Sequence, residues 1–261
     1  MLTLNIVFLK KILNLTALFV LLLTSCKKED EVEPPREVSV QAIDDNQILE
    51  DYLSTHFYNY EDFEDETGSP EIVFDTLSGE NVNKRSLMSQ VVKKVINVKI
   101  SDGSFVNHNL YYLVAREGIG KSPSLVDSTF QTYEGLLLNG NVFDSANNPV
   151  WFDLTQVVRG FREGLTSLKA GTYEVNEDNT VTFNDFGQGA FFIPSGLAYF
   201  SNAAGAIPAY SPLIFKVNLY TTKQTDHDGD GIPSSEEFDR DGDGIADDTD
   251  GDGLADYLDK D

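Results

Sequence analysis

Short apolar segments separated by glycine, asparagine and proline run from residue 110 to about residue 221, and this pattern restricts the possible fold most. Segments 110–115 and 128–134 have the composition of strands, and Asn139-Gly140 is typical of a hairpin turn. Within this region, apolar residues recur at helical spacing over 155–168, which predicts one short helix there. One helix against successive antiparallel strands predicts an α+β fold, in which a curved antiparallel sheet wraps around that helix.

Aromatic and apolar residues cluster in ordered blocks along these segments. The blocks are Q-T-Y-E-G around Tyr133, then Phe143-Asp144-Ser145, then Q-V-V-R-G-F-R-E-G-L over 156–165, and finally F-I-P-S-G-L-A-Y and A-I-P-A-Y-S-P-L-I-F between 192 and 215. Such a composition indicates an aromatic pocket rather than an acid/base centre. Taken in order, the blocks resemble the FKBP-type peptidyl-prolyl cis-trans isomerases over residues 111–221.

The resemblance implies an FKBP-like fold and an isomerase that needs no cofactor for catalysis. Nine residues match the family's proline site, and all but one are aromatic or aliphatic: Tyr133, Phe143, Asp144, Val157, Val158, Phe161, Tyr199, Ile207 and Phe215. By the same resemblance Asp144 accepts a polar contact at the rim, while the Val158 N–H and the Tyr199 hydroxyl hold substrate carbonyls.

The sequence departs from the family pattern at three positions. Phe161 stands where the family usually has tryptophan, Val150 where an aromatic residue is common, and Phe200 where glycine follows the tyrosine. Because the floor stays apolar, we expect binding to be retained, whereas the ring lost at Val150 favours slower catalysis. An insertion over 172–189 predicts an extra hairpin beside the site.

After Thr225 the composition changes to an acidic tail with repeated Asp-x-Asp-x-Asp-Gly segments. Residues 226–261 carry fifteen acidic side chains against Arg240 and Lys260, a net charge of −13. Alternating carboxylates followed by glycine place several oxygens around one hard cation such as calcium. The run resembles thrombospondin type 3 repeats, so we predict irregular calcium-binding repeats; the alternative is a solvated, disordered tail.

The candidate calcium ligands fall in three loops, with Asp250 shared by the second and third. They are Asp226, Asp228, Asp230 and Glu237; Asp239, Asp241, Asp243, Asp247 and Asp250; and Asp248, Asp250, Asp252, Asp256 and Asp259.

The amino terminus has the pattern of a bacterial lipoprotein signal. Lys10 and Lys11 precede an apolar run over 12–23, which is shorter than the ~20 residues of a membrane span. The sequence Leu-Thr-Ser-Cys then ends at Cys26 and resembles a lipobox. We predict a signal peptide over 1–25 and lipidation of Cys26; a plain secretory signal is the alternative.

Two further segments precede the isomerase-like region. Residues 26–43 are charged, contain Pro34-Pro35 and are predicted to be a linker. Residues 44–110 are predicted to be an N-terminal extension with a helix over 45–57 and a strand over 91–100. His56 and His108 have no second ligand at metal spacing, and both are interpreted as surface or helix-face residues.

The formal net charge of −24 opposes nucleic-acid binding, because an acidic surface repels phosphate backbones. The predicted partners are proline-containing polypeptides and, through Cys26, a membrane. We therefore expect a lipid-anchored outer-membrane protein of the bacterial envelope, periplasmic or surface-exposed, that assists folding of envelope or exported proteins as a prolyl isomerase. The alternatives are an FKBP-fold chaperone or peptide-binding module with little turnover, and a calcium-dependent surface adhesion or spacer protein.

Overall fold

A six-stranded antiparallel sheet forms the centre of the computed structural model, which describes residues 34–65 and 68–260. The strands in chain order are β1 (His56–Tyr58), β2 (Phe74–Thr76), β3 (Val92–Lys99), β4 (Phe105–Arg116), β5 (Ser128–Leu137), β6 (Val142–Asp153), β7 (Thr172–Val175), β8 (Val181–Asn184), β9 (Gly187–Ile193) and β10 (Leu213–Lys223). The main sheet has the order β3-β4-β9-β10-β5-β6, and two small sheets pair β1 with β2 and β7 with β8. The antiparallel sheet confirms the predicted fold class, and the β7–β8 pair confirms the hairpin predicted within 172–189.

Short helices and turns connect these strands. The α-helices are α1 (Val38–Thr55), α2 (Arg159–Leu165) and α3 (Ser234–Glu237). Single 3₁₀ turns occur at Tyr60–Phe63, Gly79–Asn81, Leu87–Ser89, Leu154–Gln156, Ser195–Leu197 and Asp256–Leu258. None of the helices described here is long and apolar enough to cross a membrane.

Helix α2 packs on one face of the sheet and, as predicted, lies within residues 155–168. Phe161 and Leu165 are buried there against Phe191 and Ile193 of β9. Glycine at position 164 allows this close approach, because a Cβ added there would lie 2.4 Å from the Phe191 ring. The helix is therefore short and close to the sheet.

Helix α1 contributes to a second core on the opposite face of the sheet. Leu49 and Leu53 are fully buried there against residues that include Tyr111 and Phe192. Burying each leucine contributes roughly 1.5–3 kcal/mol relative to leaving it exposed. This layer makes the N-terminal extension part of the fold.

The predicted boundaries of the N-terminal segments need correction. Helix α1 begins at Val38, so residues 38–43 are helical and the linker prediction is wrong for them. The buried face of the helix continues toward its N terminus through Gln41 and Asp45, two polar residues that an apolar pattern does not reveal. The predicted boundary at 110/111 lies inside β4, and Arg36–Asp261 forms one compact unit.

The predicted signal peptide over 1–25, the lipidation site at Cys26 and the first part of the linker lie outside the described residues.

Candidate functional site

A cavity of about 620 Å³ opens between β5, β6 and the start of α2. Its size is within the ~300–1,000 Å³ typical of small-molecule pockets. The lining is mostly aromatic and aliphatic, with a few polar groups: Tyr133, Asp144, Trp151, Phe152, Asp153, Gln156, Val157, Val158, Phe161, Tyr199 and Phe215. The cavity is therefore an apolar site with polar groups available to orient a ligand.

Phe161 forms the floor of the cavity and is only 2% exposed. The centroid of its ring lies 4.8 Å from that of Phe215 and 6.1 Å from that of Phe152, and both pairs are edge-to-face. The Tyr133 ring contacts Phe161 at 6.2 Å in the same way. Edge-to-face pairs of this kind contribute about 0.5–1.5 kcal/mol each beyond burial, so the floor is held in one arrangement.

The polar groups of the cavity are few and lie at its edges. The Tyr133 hydroxyl donates a 2.6 Å hydrogen bond to Asp144 Oδ2. Burial, followed by this bond to Asp144, raises the pKa of Tyr133, so the hydroxyl stays protonated. The Tyr199 hydroxyl and the Val158 N–H, which precedes the first turn of α2, have no hydrogen-bond partner among the described residues. Both are therefore available to a ligand.

Seven of the nine predicted site residues line this cavity. Phe143 lies behind Phe215, at 5.4 Å between ring centroids, and is absent from the lining. Ile207 is buried in the core around α2, 4% exposed, and is also absent from the lining. These two residues support the site from behind.

The sequence interpretation missed Trp151, Phe152, Asp153 and Gln156, which also line the cavity. Phe152 supplies an aromatic ring close to the position where Val150 lacks one. Residues two apart on a strand share a face, so the alternation of β6 could have indicated Phe152.

The loop after β9 contains a strained residue at one of the family departures. Phe200 has a φ of +48°, a left-handed conformation that glycine adopts more easily than other residues. Its ring packs edge-to-face on Tyr210 at 5.3 Å, and Tyr210 itself has a φ of +58°. This packing compensates part of the backbone strain.

His108 is buried, so its interpretation as a surface or helix-face residue is wrong. It is 1% exposed on β4, and a Cβ added to Gly196 would lie 2.1 Å from its ring. Burial lowers the pKa of His108, and no described residue bonds its ring nitrogens.

The acidic tail folds into three similar loops. In each loop one oxygen from each of three aspartates lies within 4.8 Å of the other two: Asp226, Asp228 and Asp230; Asp239, Asp241 and Asp243; and Asp248, Asp250 and Asp252. The first aspartate of each loop accepts the N–H of a glycine five residues later, and that glycine has a left-handed φ. Regular loop geometry therefore converges the carboxylates.

The other predicted ligands lie outside these three groups. Asp247 accepts the Arg240 N–H, and Asp256 accepts Thr249 and the Arg240 guanidinium. Asp250 belongs to the third group and not to the second, and Asp259 belongs to none of the three.

Glu237 stands out among the predicted ligands because its carboxylate is buried. The residue is 4% exposed, and its Oε2 atom has no hydrogen-bond partner in the described structure. Burial, and then the charges of Asp230, Asp228 and Asp226, raise the pKa of Glu237. A buried acceptor beside three further carboxylates is the arrangement that a hard cation would satisfy.

The tail packs against the isomerase-like region. His227 Nε2 lies 3.2 Å from Asp153 Oδ2 at the cavity. Arg159 of α2 donates to the Gly244 carbonyl at 3.4 Å, and the Arg162 guanidinium lies 5.7 Å from the Phe238 ring. The loops are thus attached to the helix that forms the cavity floor.

Residues 120–220 match the model of the family described as FKBP-type peptidyl-prolyl cis-trans isomerase. The chain is 37% identical over 122 residues to "Peptidyl-prolyl cis-trans isomerase Mip" of Coxiella burnetii, covering 45% of this chain and 46% of that protein. It is 33% identical over 120 residues to "Outer membrane protein MIP" of Legionella longbeachae, covering 44% and 45%. A crystal structure of a peptidyl-prolyl cis-trans isomerase from Pseudomonas syringae aligns with a TM-score of 0.41 and 18% identity, covering 74% of this chain and all of that one.

The similarity over residues 120–220 agrees with the family that the aromatic blocks predicted for this part of the chain. The chain spans less than half the length of the two curated relatives named above.

Proposed function

We propose that this protein is a peptidyl-prolyl cis-trans isomerase whose catalytic site is the aromatic cavity. The observation that carries the proposal is the convergence of Tyr133, Phe161 and Phe215 with the unpaired Val158 N–H and Tyr199 hydroxyl on one apolar cavity. An FKBP-type domain over 120–220 supports the same reaction.

The proposed mechanism is non-covalent. Rotation about a peptide C–N bond faces a barrier of ~18–20 kcal/mol, because resonance gives the bond double-bond character. Water stabilises the planar, dipolar ground state more than the twisted amide. A dry cavity that fits the twisted X–Pro bond therefore lowers the barrier without a nucleophile or a metal.

Each polar group has a defined part in this proposal. The prolyl ring rests on Phe161, and the Val158 N–H and Tyr199 hydroxyl donate to substrate carbonyls on either side of the bond. Asp144, held by Tyr133, accepts a polar contact at the rim. Phe143 and Ile207 act indirectly, by supporting Phe215 and the core under α2.

A protease-free prolyl isomerisation assay on the mature chain tests the proposal. We expect turnover by the wild type, and Phe215→Ala should lower kcat/KM and the affinity for macrolide FKBP ligands together. Tyr173→Ala is the matched control, because Tyr173 is an exposed aromatic on the β7–β8 hairpin outside the cavity lining. A wild-type rate equal to uncatalysed exchange would refute the enzyme proposal. Macrolide binding without turnover would instead support an FKBP-fold binding module, which the strained Phe200 loop favours.

We also propose that the tail binds calcium, beginning with the loop of Asp226, Asp228, Asp230 and Glu237. Its spacing fits the twelve-residue calcium loop, with carboxylates at positions 1, 3, 5 and 12 and glycine at position 6. The support is the convergence of the three aspartate oxygens and the buried Glu237 Oε2, which has no hydrogen-bond partner among the described residues. The second and third loops repeat the aspartate spacing and the glycine turn.

Calorimetric titration of the whole mature chain with calcium tests this part. Glu237→Gln should weaken one class of site, whereas the exposed neighbour Glu236→Gln should leave it unchanged. No heat at millimolar calcium, the weak end for extracellular modules, would refute calcium binding.

Location in the bacterial envelope through a lipid on Cys26 is the last part of the proposal. It is supported by the lipobox-like sequence and by a relative named as an outer membrane protein. The folding of envelope or exported polypeptides would then be its task. Cys26→Ser should move the protein out of the membrane fraction, and retention through detergent-free washing would place the anchor elsewhere.

A further inference from the structure

Helix α1 reaches the loop that carries Tyr199 through a buried carboxylate. Asp45 is fully buried, and its Oδ2 atom accepts hydrogen bonds from both the Ser195 N–H and the Ser195 hydroxyl, each at 2.7 Å. Its Oδ1 atom accepts from Gln41 Nε2, also at 2.7 Å. Three hydrogen bonds to one buried carboxylate make this contact a strong connection between segments 150 residues apart.

Ser195 is the base of the turn that presents Tyr199. Its carbonyl accepts the N–H groups of Ala198 and Phe200, both at 2.9 Å, so the two residues flanking Tyr199 are tied to it. Asp45 therefore accepts from the N–H and hydroxyl donors of Ser195, while the Ser195 carbonyl accepts the N–H groups of the turn. A shift of Ser195 would move the backbone on both sides of Tyr199.

The other end of the same loop is held by the residues that precede α1. The Arg36 N–H donates to the Tyr210 hydroxyl at 3.0 Å, and the Arg36 guanidinium lies 4.8 Å from the centre of the Tyr210 ring. Arg36 also donates to Gln41 Oε1 at 3.0 Å, which links this end to Asp45. The segment 36–45 thus clamps the loop at both ends.

The loop requires such support because its backbone is strained. Phe200 and Tyr210 both have left-handed φ values, and the Tyr210 N–H bonds the Phe200 carbonyl at 2.6 Å. Non-glycine residues are strained in this conformation and persist in it only where their surroundings hold them. Without the clamp we expect the loop to sample conformations in which Tyr199 leaves the cavity.

We propose that Asp45 is a positioning residue of the isomerase site, acting through Ser195 to hold Tyr199 at the cavity. The proposal rests on the proposed function. It gives the N-terminal extension an indirect part in substrate binding, because Asp45 supports the loop that carries Tyr199.

Asp45→Asn and Asp45→Ala in the whole mature chain test this role. We expect kcat/KM to fall on the order of ten-fold in Asp45→Ala, mainly through KM, because the Tyr199 contact is made in ground state and transition state alike. Amide hydrogen exchange of Ala198 and Phe200 should accelerate in the same variant. Asp45→Asn keeps one acceptor oxygen for Ser195 and should recover part of both effects.

Two controls separate positioning from a general loss of stability. Leu49→Val weakens the packing of α1 without touching Ser195, and it should lower Tm while kcat/KM stays unchanged. In a Tyr199→Phe background, Asp45→Ala should cost much less in kcat/KM than it does alone, because the contact that it positions is already absent.

The possible outcomes have distinct meanings. Additive effects of Asp45→Ala and Tyr199→Phe, or unchanged exchange at Ala198 and Phe200, would overturn the positioning role. A wild type without turnover would overturn the proposed function instead. In that case, exchange of the loop amides and macrolide affinity in Asp45→Ala would still decide whether Asp45 holds the loop.

Discussion

Phe152 and Phe143 offer the sharpest test of the site, because the sequence pattern favoured Phe143 and the structure favours Phe152. Phe152 lines the cavity and contacts the rings of Tyr133 at 5.3 Å and Phe161 at 6.1 Å. Phe143 contacts the ring of Phe215 at 5.4 Å and does not reach the cavity. The test compares two single variants, Phe152→Ala and Phe143→Ala.

The expected magnitudes follow from these contacts. A ligand that covers about 50 Å² of the Phe152 ring loses about 1.3 kcal/mol at roughly 25 cal/mol per Å², which is about a ten-fold loss of affinity. Stability should fall in both variants, because ring contacts contribute about 0.5–1.5 kcal/mol each; Phe152 makes two of them and Phe143 contacts Phe215. Since Phe143 does not line the cavity, Phe143→Ala should destabilise the protein while changing ligand affinity less than about three-fold.

Macrolide affinity measured by fluorescence or calorimetry, together with urea unfolding of the same samples, checks this prediction. The comparison is made at a temperature at which both variants are fully folded. If Phe143→Ala weakened binding as much as Phe152→Ala, the cavity would extend to Phe143 and the assignment of its wall would be wrong.

Three further perturbations have defined outcomes. Burial raises the pKa of Asp45 above its unfolded value, against the bonds from Ser195 and Gln41 that lower it; its contribution to stability is therefore full below the unfolded pKa and is lost as pH rises through the folded pKa. In urea unfolding, the free energy of unfolding of the wild type should rise relative to that of Asp45→Asn as the pH falls from 7 to 4. A difference that does not change with pH would contradict this sign. Saturating calcium should raise Tm, because a ligand at 100 times its Kd adds about 2.7 kcal/mol of stability per site. Glu237→Gln should reduce this increase in Tm. An equal increase in the wild type and in Glu237→Gln would argue against Glu237 as a ligand. Gly164→Ala should destabilise by about 1–3 kcal/mol in spite of better helix propensity, because the added methyl meets the buried Phe191 ring; unchanged unfolding would mean that α2 can move away from the sheet.

The contact of the tail with α2 bears on how the calcium experiments should be interpreted. His227 joins Asp153 beside the cavity, and Arg159 joins the second loop to the start of α2. Calcium that orders these loops would therefore stabilise the region around the cavity as well as the tail. Isomerase assays with and without calcium consequently need a parallel measurement of the folded fraction.

Local patterns in the sequence predicted the class of fold and many of the residues that line the cavity. Alternation and turn residues are properties of neighbouring positions, so they predicted the antiparallel sheet, the single helix near 155–168 and the hairpin within 172–189. The ordered aromatic blocks predicted the family, and seven of the residues that they indicated line one cavity. The repeated aspartate spacing likewise predicted where carboxylates converge.

Only the tertiary structure decided which of these residues reach the cavity and what supports them. Phe143 and Ile207 have the composition of ligand contacts but do not line the cavity, whereas Phe152 does. Asp45 looks like an ordinary acid in the first turn of a predicted helix, yet it is buried against Ser195. Apolar periodicity records that a position is buried, but not which distant residue buries it. Contacts between α1 and the Tyr199 loop, and between the tail and α2, join residues far apart in the chain, and only the folded chain brings them together.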